Sequence, residues 1–174
     1  SDQNGTMDIS NDGRFVAFSS TSTNFGADAD TLSDIFLRDR TYGTTELVSV
    51  SSAEASTDAD SYHPSMSSNG SVIAFQSAAT NLVTADTNGA VDAFVRNRSN
   101  GTTERVSVHD NEGQSATGGY EPWIDDSGDK VVFTSSSKLS SIDPNNSNDV
   151  FIRTRTAGTT NVGSVGTDGW AAGL

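Results

Sequence analysis

Three loops in this chain set carboxylates and amides at a spacing that can gather oxygen ligands. They read Asp28-x-Asp30-x-x-x-Asp34, Asp86-x-Asn88-x-x-x-Asp92 and Asp143-x-Asn145-x-x-x-Asp149. Side-chain oxygens at i and i+2, followed by a later carboxylate, can converge on a hard cation such as Ca²⁺. No Glu closes these loops as it does in an EF-hand. The same residue types have a second use, because Asp and Asn ahead of a strand fold back on backbone amides in Asx-turns. We take that structural reading first, with no cofactor bound and the last Asp of each triplet holding its turn. Ca²⁺ is the alternative, and a ligand-dependent rise in stability would mark it.

Each loop runs into a segment that also carries charge. The segments are Asp34-Ile35-Phe36-Leu37-Arg38-Asp39-Arg40, Asp92-Ala93-Phe94-Val95-Arg96-Asn97-Arg98 and Asp149-Val150-Phe151-Ile152-Arg153-Thr154-Arg155. On a strand, residues two apart share a face, so each arginine pair sits on the side of its Phe. Paired guanidinium groups can clamp a carboxylate or phosphate. They can equally tie strands together through acidic neighbours such as Glu46 and Glu104. Threefold recurrence favours the tie, since an active site is needed once and a structural pair is needed in every copy.

Other candidates lie where the copies differ. His63 precedes Pro64, and its counterpart before Pro122 is Glu121; His109 follows Val108 with Asp110 and Glu112 nearby. Tyr62 and Tyr120 occupy equivalent positions and Trp123 follows Pro122. Exposed aromatics in loops suit a protein, peptide or glycan ligand, whereas buried ones pack between structural units. No G-x-S-x-G, H-E-x-x-H or phosphate-binding glycine loop occurs, so no catalytic residue and no enzyme activity is expected.

The elements that position these residues repeat. Gly13, Gly70 and Gly128 fall 57 and 58 residues apart, and Gly43, Gly101 and Gly158 fall 58 and 57 apart. A fixed period of this kind marks a repeat architecture. Each copy predicts four strands. The first covers Met7 to Ser10, Pro64 to Ser67 or Pro122 to Asp125; the second covers Arg14 to Phe18, Ser71 to Phe75 or Lys130 to Phe133. The charged segment is the third, and Thr44 to Val50, Thr102 to Val108 or Thr159 to Val165 is the fourth. Asp12-Gly13 and Asn69-Gly70 predict tight type I′ turns between the first two. Second strands that are almost wholly apolar are expected to be covered on both faces. Four antiparallel strands with doubly covered inner strands are the pattern of a β-propeller blade. The expected fold is all-β, with blade 1 at about residues 1–57, blade 2 at about 58–115 and blade 3 at about 116–174.

Composition narrows the function classes. The chain of 174 residues carries 23 acidic against 10 basic residues, two of them Lys and eight Arg, for a net charge of −13. Such a surface repels nucleic acid and anionic membranes, so neither is an expected partner. The charge fits solubility, cation binding or life at high salt. No apolar run is long enough for a membrane-spanning helix. The absence of Cys excludes disulfides and thiolate chemistry and is compatible with an extracytoplasmic, periplasmic or secreted, location.

The stretches Ser65-Met66-Ser67-Ser68-Asn69-Gly70-Ser71-Val72-Ile73-Ala74-Phe75, Asn81-Leu82-Val83 through Asp86-Thr87-Asn88-Gly89, and Asp92 to Arg98 resemble the TolB-like (WD40-like) β-propeller repeat family. The resemblance covers essentially the whole chain. It implies accessory, binding or peptidase-associated roles. Propellers close with about four to eight blades. Three make an arc with two bare end faces, so the expected partner is a second copy forming a six-bladed ring, or further blades of a longer chain. The tail with Trp170 and Leu174 breaks the repeat and is expected either to latch onto a neighbouring blade or to fray.

Overall fold

The computed structural model describes residues 6–25, 30–143 and 145–166. Among them there are strands and no helices, hence no helix able to cross a membrane. Blade 1 contains β1 (Met7–Ile9), β2 (Phe15–Ser20), β3 (Asp34–Asp39) and β4 (Thr44–Leu47). Blade 2 contains β5 (Ser61–Met66), β6 (Val72–Ser77), β7 (Asp92–Asn97) and β8 (Thr102–Arg105), and blade 3 contains β9 (Tyr120–Ile124), β10 (Lys130–Ser135), β11 (Asp149–Thr154) and β12 (Thr159–Val162). Each blade is a four-stranded antiparallel sheet with its strands in chain order. The expected all-β, three-blade architecture is what the chain adopts. The tail with Trp170 and Leu174 lies outside the described residues.

Register is the same in all three blades. Phe18 faces Phe36, Phe75 faces Phe94 and Phe133 faces Phe151 across the two middle strands. Each pair stacks with ring centroids 5.9 Å apart. Period-two alternation puts these rings on one face of their sheet and smaller side chains on the other. Blade 2 sets Ile73, Phe75 and Phe94 against Ala17, Leu37 and Val48 of blade 1. Blade 3 sets Val131, Phe133 and Phe151 against Ala74, Val95 and Val106 of blade 2. The core is therefore two layers between blades, with a large-residue face seated on a small-residue face. Each buried ring contributes about 1.5–3 kcal/mol.

The first turn differs from the type I′ expectation. Gly13, Gly70 and Gly128 have φ of 70°, 67° and 77°, but Asp12, Asn69 and Ser127 are not in the left-handed region. The Gly13 N–H bonds to the Ser10 carbonyl at 2.8 Å. The Asp12 carboxylate accepts from the Ser10 hydroxyl and the Arg14 N–H. The side chain thus replaces one backbone bond of the tight hairpin, and the loop gains residues.

Fourth strands are shorter than expected, ending at Leu47, Arg105 and Val162. Beyond them a serine hydroxyl takes over the ladder. Ser49, Ser107 and Ser164 accept the N–H of Ile35, Ala93 and Val150 and donate to Asp34, Asp92 and Asp149. The first strands of blades 2 and 3 instead begin earlier, so Tyr62, His63 and Tyr120 are strand residues. In β5 the register shifts between Tyr62 and Ser65, and in β9 it shifts before Trp123. His63 and Glu121, each preceding a proline, have φ of 55° and 54°. Proline cannot donate to the ladder and is accommodated at such a bulge.

Candidate functional site

The three first strands lie side by side along one edge of the arc. Their bridges repeat: the Met66 N–H donates to Asp8 Oδ2 at 2.7 Å, and the Ile124 N–H donates to Ser65 Oγ at 3.2 Å. Register makes Trp123 the third member of this series, because Asp8, Ser65 and Trp123 face Ala17, Ala74 and Val132. In blade 3 the bridging acceptor is replaced by an indole that is 69% exposed. Thr6, Met7, His63, Pro64, Pro122 and Trp123 line a cleft of about 200 Å³. Met7, also largely exposed, joins Trp123 as apolar lining, and the His63 imidazole is the one titratable group among these residues. This arrangement offers stacking, apolar contact and a hydrogen bond, as a binding groove does.

Two of the sequence candidates, His63 and Trp123, come together here. Tyr62 and Tyr120 serve their blades instead. Both are half-buried, and burial holds each phenol above its ordinary value. The Tyr120 hydroxyl donates to Asn148 Oδ1 at 2.7 Å. His109 lies in a separate depression with Gln114, Thr117 and Lys138. Met7 and the cleft itself escape sequence reasoning, since convergence of three strands 58 residues apart is not a local pattern.

The arginines tie blades. Arg96 donates to Glu54 and to the Ser51 and Gly101 carbonyls, and Arg98 pairs with Glu46. Arg153 and Arg155 repeat this with Glu112 and Glu104. Threonine completes the seam: Thr103 and Thr160 donate to the Val50 and Val108 carbonyls of the preceding blade. Arg38 and Arg40 reach carbonyls of their own blade and no acidic side chain among the described residues.

The aspartate loops differ from copy to copy. Asp28 lies outside the described residues. Asp30 accepts the Leu32 N–H, and Asp34 accepts the hydroxyls of Ser49 and Thr57. In blade 2 the Arg105 guanidinium enters the loop, with Nη1 3.1 Å from Asp86 Oδ1 and 3.7 Å from Asp92 Oδ2. Asn88 Nδ2 donates to Asp92 and Gln114 Nε2 to Asp86, each at 2.9 Å. Burial nevertheless pushes both carboxyls above their ordinary value, against the pull of these donors. In blade 3 the Asn145 N–H donates to Asp143 Oδ1 at 3.0 Å and Ser164 Oγ to Asp149 Oδ1 at 2.7 Å. Among the described residues no three acidic or histidine side chains gather as a metal centre.

No protein-family model matches the chain, and no curated protein matches it. Solved structures do. A TolB of Agrobacterium tumefaciens is similar over 90% of this chain and 44% of its own, with a TM-score of 0.55 and 17% identity. The β-propeller domain of the trilobed protease from Pyrococcus furiosus is similar over 91% of this chain and 41% of its own, at 0.52 and 10%. The tricorn protease is similar over 86% of this chain and 13% of its own, at 0.50 and 18%. The chain thus spans under half the length of the TolB it matches. Sheet topology and these likenesses together show the fold: three consecutive blades of a β-propeller, similar to those of TolB.

Proposed function

We propose that this chain is a non-catalytic interaction module that closes a propeller ring with a second copy of itself and offers its axial cleft to a protein, peptide or glycan ligand. The observation that carries this is the outer face of blade 3. In blade 2, Ala74, Ala93 and Val95 are fully buried by the next blade. Their counterparts Val132, Val150 and Ile152 face away from blade 2 and are left partly exposed. A contiguous apolar sheet face of this kind is an interaction surface. A two-copy ring seats it on the outer side of a partner's blade 1, where Phe25 already covers Phe18 and Phe36, giving two equivalent contacts. An extracytoplasmic setting fits the absence of Cys.

A specific observation favours a second reading, in which the missing blades belong to a longer chain such as an accessory propeller of a peptidase. Arg38 and Arg40 repeat the arginines that meet Glu54 and Glu46 elsewhere, but register puts Asn161 where Glu46 and Glu104 stand. A partner blade with a Glu there would satisfy blade 1 better than blade 3 does.

Sedimentation at micromolar concentration separates the two. A two-copy ring sediments as a dimer, Val132→Glu dissociates it, and Asn161→Glu tightens it by supplying the acid for Arg40 of the other copy. A folded monomer unaffected by either change overturns self-closure and leaves the longer chain.

A further inference from the structure

We propose that the loop of blade 3 running from Asp143 to Asp149 binds a hard divalent cation of the Ca²⁺ class, in the place that the Arg105 guanidinium fills in blade 2. This goes beyond ring closure and does not rest on it. Asp143 is 4% exposed and Asp149 fully buried. Each keeps one carboxylate oxygen, Oδ2, that is buried and has no hydrogen-bond partner. The other oxygen of each is already taken, by the Asn145 N–H and the Ser164 hydroxyl. Two half-satisfied carboxylates remain, on the residues equivalent to Asp86 and Asp92.

The comparison between copies identifies what is missing. Opposite Phe94 the fourth strand carries Arg105; opposite Phe151 it carries Val162. Asn145 does not replace the Asn88 bond either: the side-chain oxygens of both accept a loop N–H, from Ala90 and Ser147, but only Asn88 also donates to the carboxylate, Asp92. Blade 3 has therefore lost both donors that face the second carboxylate. No compensating charge comes from the residues outside the description, since residues 1–5, 26–29, 144 and 167–174 contain no Lys, Arg or His. Buried carboxylate oxygens without a counter-charge or donor favour a bound cation. Ca²⁺ accepts two carboxylate oxygens and fills its shell with carbonyl and water oxygens, which suits an irregular loop at the blade edge. Mg²⁺ demands a stricter octahedron and is the weaker candidate.

The test is calorimetric titration of chelator-stripped protein with CaCl₂ and, separately, MgCl₂, alongside thermal unfolding. We expect Ca²⁺ binding that raises the melting temperature by roughly 3–6 °C per tenfold excess over the dissociation constant. Asp143→Asn should weaken that binding more than tenfold while the fold, read by circular dichroism, is kept. Val162→Arg, which copies blade 2, should abolish Ca²⁺ dependence and keep the stripped protein stable. The inference is overturned if the stripped protein binds no Ca²⁺, or if Asp143→Asn leaves binding unchanged. It also fails if the melting temperature of the stripped protein does not respond to added Ca²⁺.

Discussion

Replacing Arg105 by Leu isolates the counter-charge that the aspartate loops require. Leu is the residue blade 1 carries at this register, as Leu47, so the blade geometry tolerates it. The change leaves the Asp86 carboxylate, its side chain 3% exposed, and the fully buried Asp92 with no facing cation. Removing one partner of a buried ion pair costs about 3–5 kcal/mol. Packing of the new side chain returns about 1–2 kcal/mol. The net loss at neutral pH is about 1–4 kcal/mol, or roughly 2–16 °C in melting temperature for a chain of this size.

The pH dependence gives this prediction its sign. Both carboxyls already sit above their ordinary value because burial outweighs their donors, and loss of the guanidinium raises them further. A carboxyl whose folded-state pKa exceeds its unfolded value, about 3.9, binds more protons when folded. The deficit of the Arg105→Leu protein is therefore largest at high pH and shrinks as pH falls through the raised folded values. Urea unfolding followed by circular dichroism between pH 8 and pH 5 reads both magnitude and slope, and added CaCl₂ should recover part of the loss at pH 8. If the variant matches the parent protein at pH 8, or its deficit grows as pH falls, then these carboxylates need no counter-charge. The same reasoning would then fail for Asp143 and Asp149.

Two further outcomes follow from the same network of charges. Arg96 is almost fully buried and bonds two carbonyls besides Glu54, whereas the Glu54 side chain is 65% exposed. Arg96→Ala should cost about 2–3 kcal/mol by stranding buried acceptors, and Glu54→Ala at most about 1 kcal/mol, as measured by urea unfolding. Equal costs would show that the ion pair, not the carbonyl bonds, holds the seam. The Arg14 guanidinium beside Asp39 holds its carboxyl down at about 2, helped by the N–H groups of Tyr42 and Thr41. Its folded pKa lies below the unfolded value, so its contribution is present above about pH 4 and is lost as pH falls through 2. Asp39→Asn should be less stable than the parent at pH 5, and the gap should close toward pH 2 in acid-unfolding curves.

Much of the fold is legible in the chain because its determinants are local and written three times. Apolar second strands, turn glycines at a fixed period and the Phe of each third strand specify four strands per copy and doubly covered sheets. The turn type is misread because Asp12 uses its side chain as a backbone acceptor, which a dipeptide pattern does not reveal. The serine latch of Ser49, Ser107 and Ser164 on the strand-three aspartates is hidden by a separation of 15 residues, although each serine recurs just before a valine. The aspartate loops look alike in sequence and differ in chemistry, since their facing residue is Leu47, Arg105 or Val162 on a strand more than ten residues away. That disagreement between copies is a readable signal once the register is known.

The edges of the arc carry the same logic. A repeat protein can use any position its copies share for scaffold, and only a position where one copy departs for something else. At the seams between blades the departures gather on one side. The incoming face of blade 1 keeps the shared donors, Arg38, Arg40 and Thr45, whose counterparts meet acids and carbonyls across each seam. The outgoing face of blade 3 drops two shared acceptors, with Trp123 in place of Asp8 and Ser65, and Asn161 in place of Glu46 and Glu104. Loss of a charged acceptor removes a cost when no donor approaches, and an exposed indole gains when an apolar surface does. The two ends are thus built unequally. Blade 1 asks for a neighbour with acids, and blade 3 for one with apolar surface near the axis. If the proposed ring closes, the blade packed against blade 3 would meet Trp123 beside the cleft it shares with Met7 and His63, so the proposed closure would also complete the proposed groove.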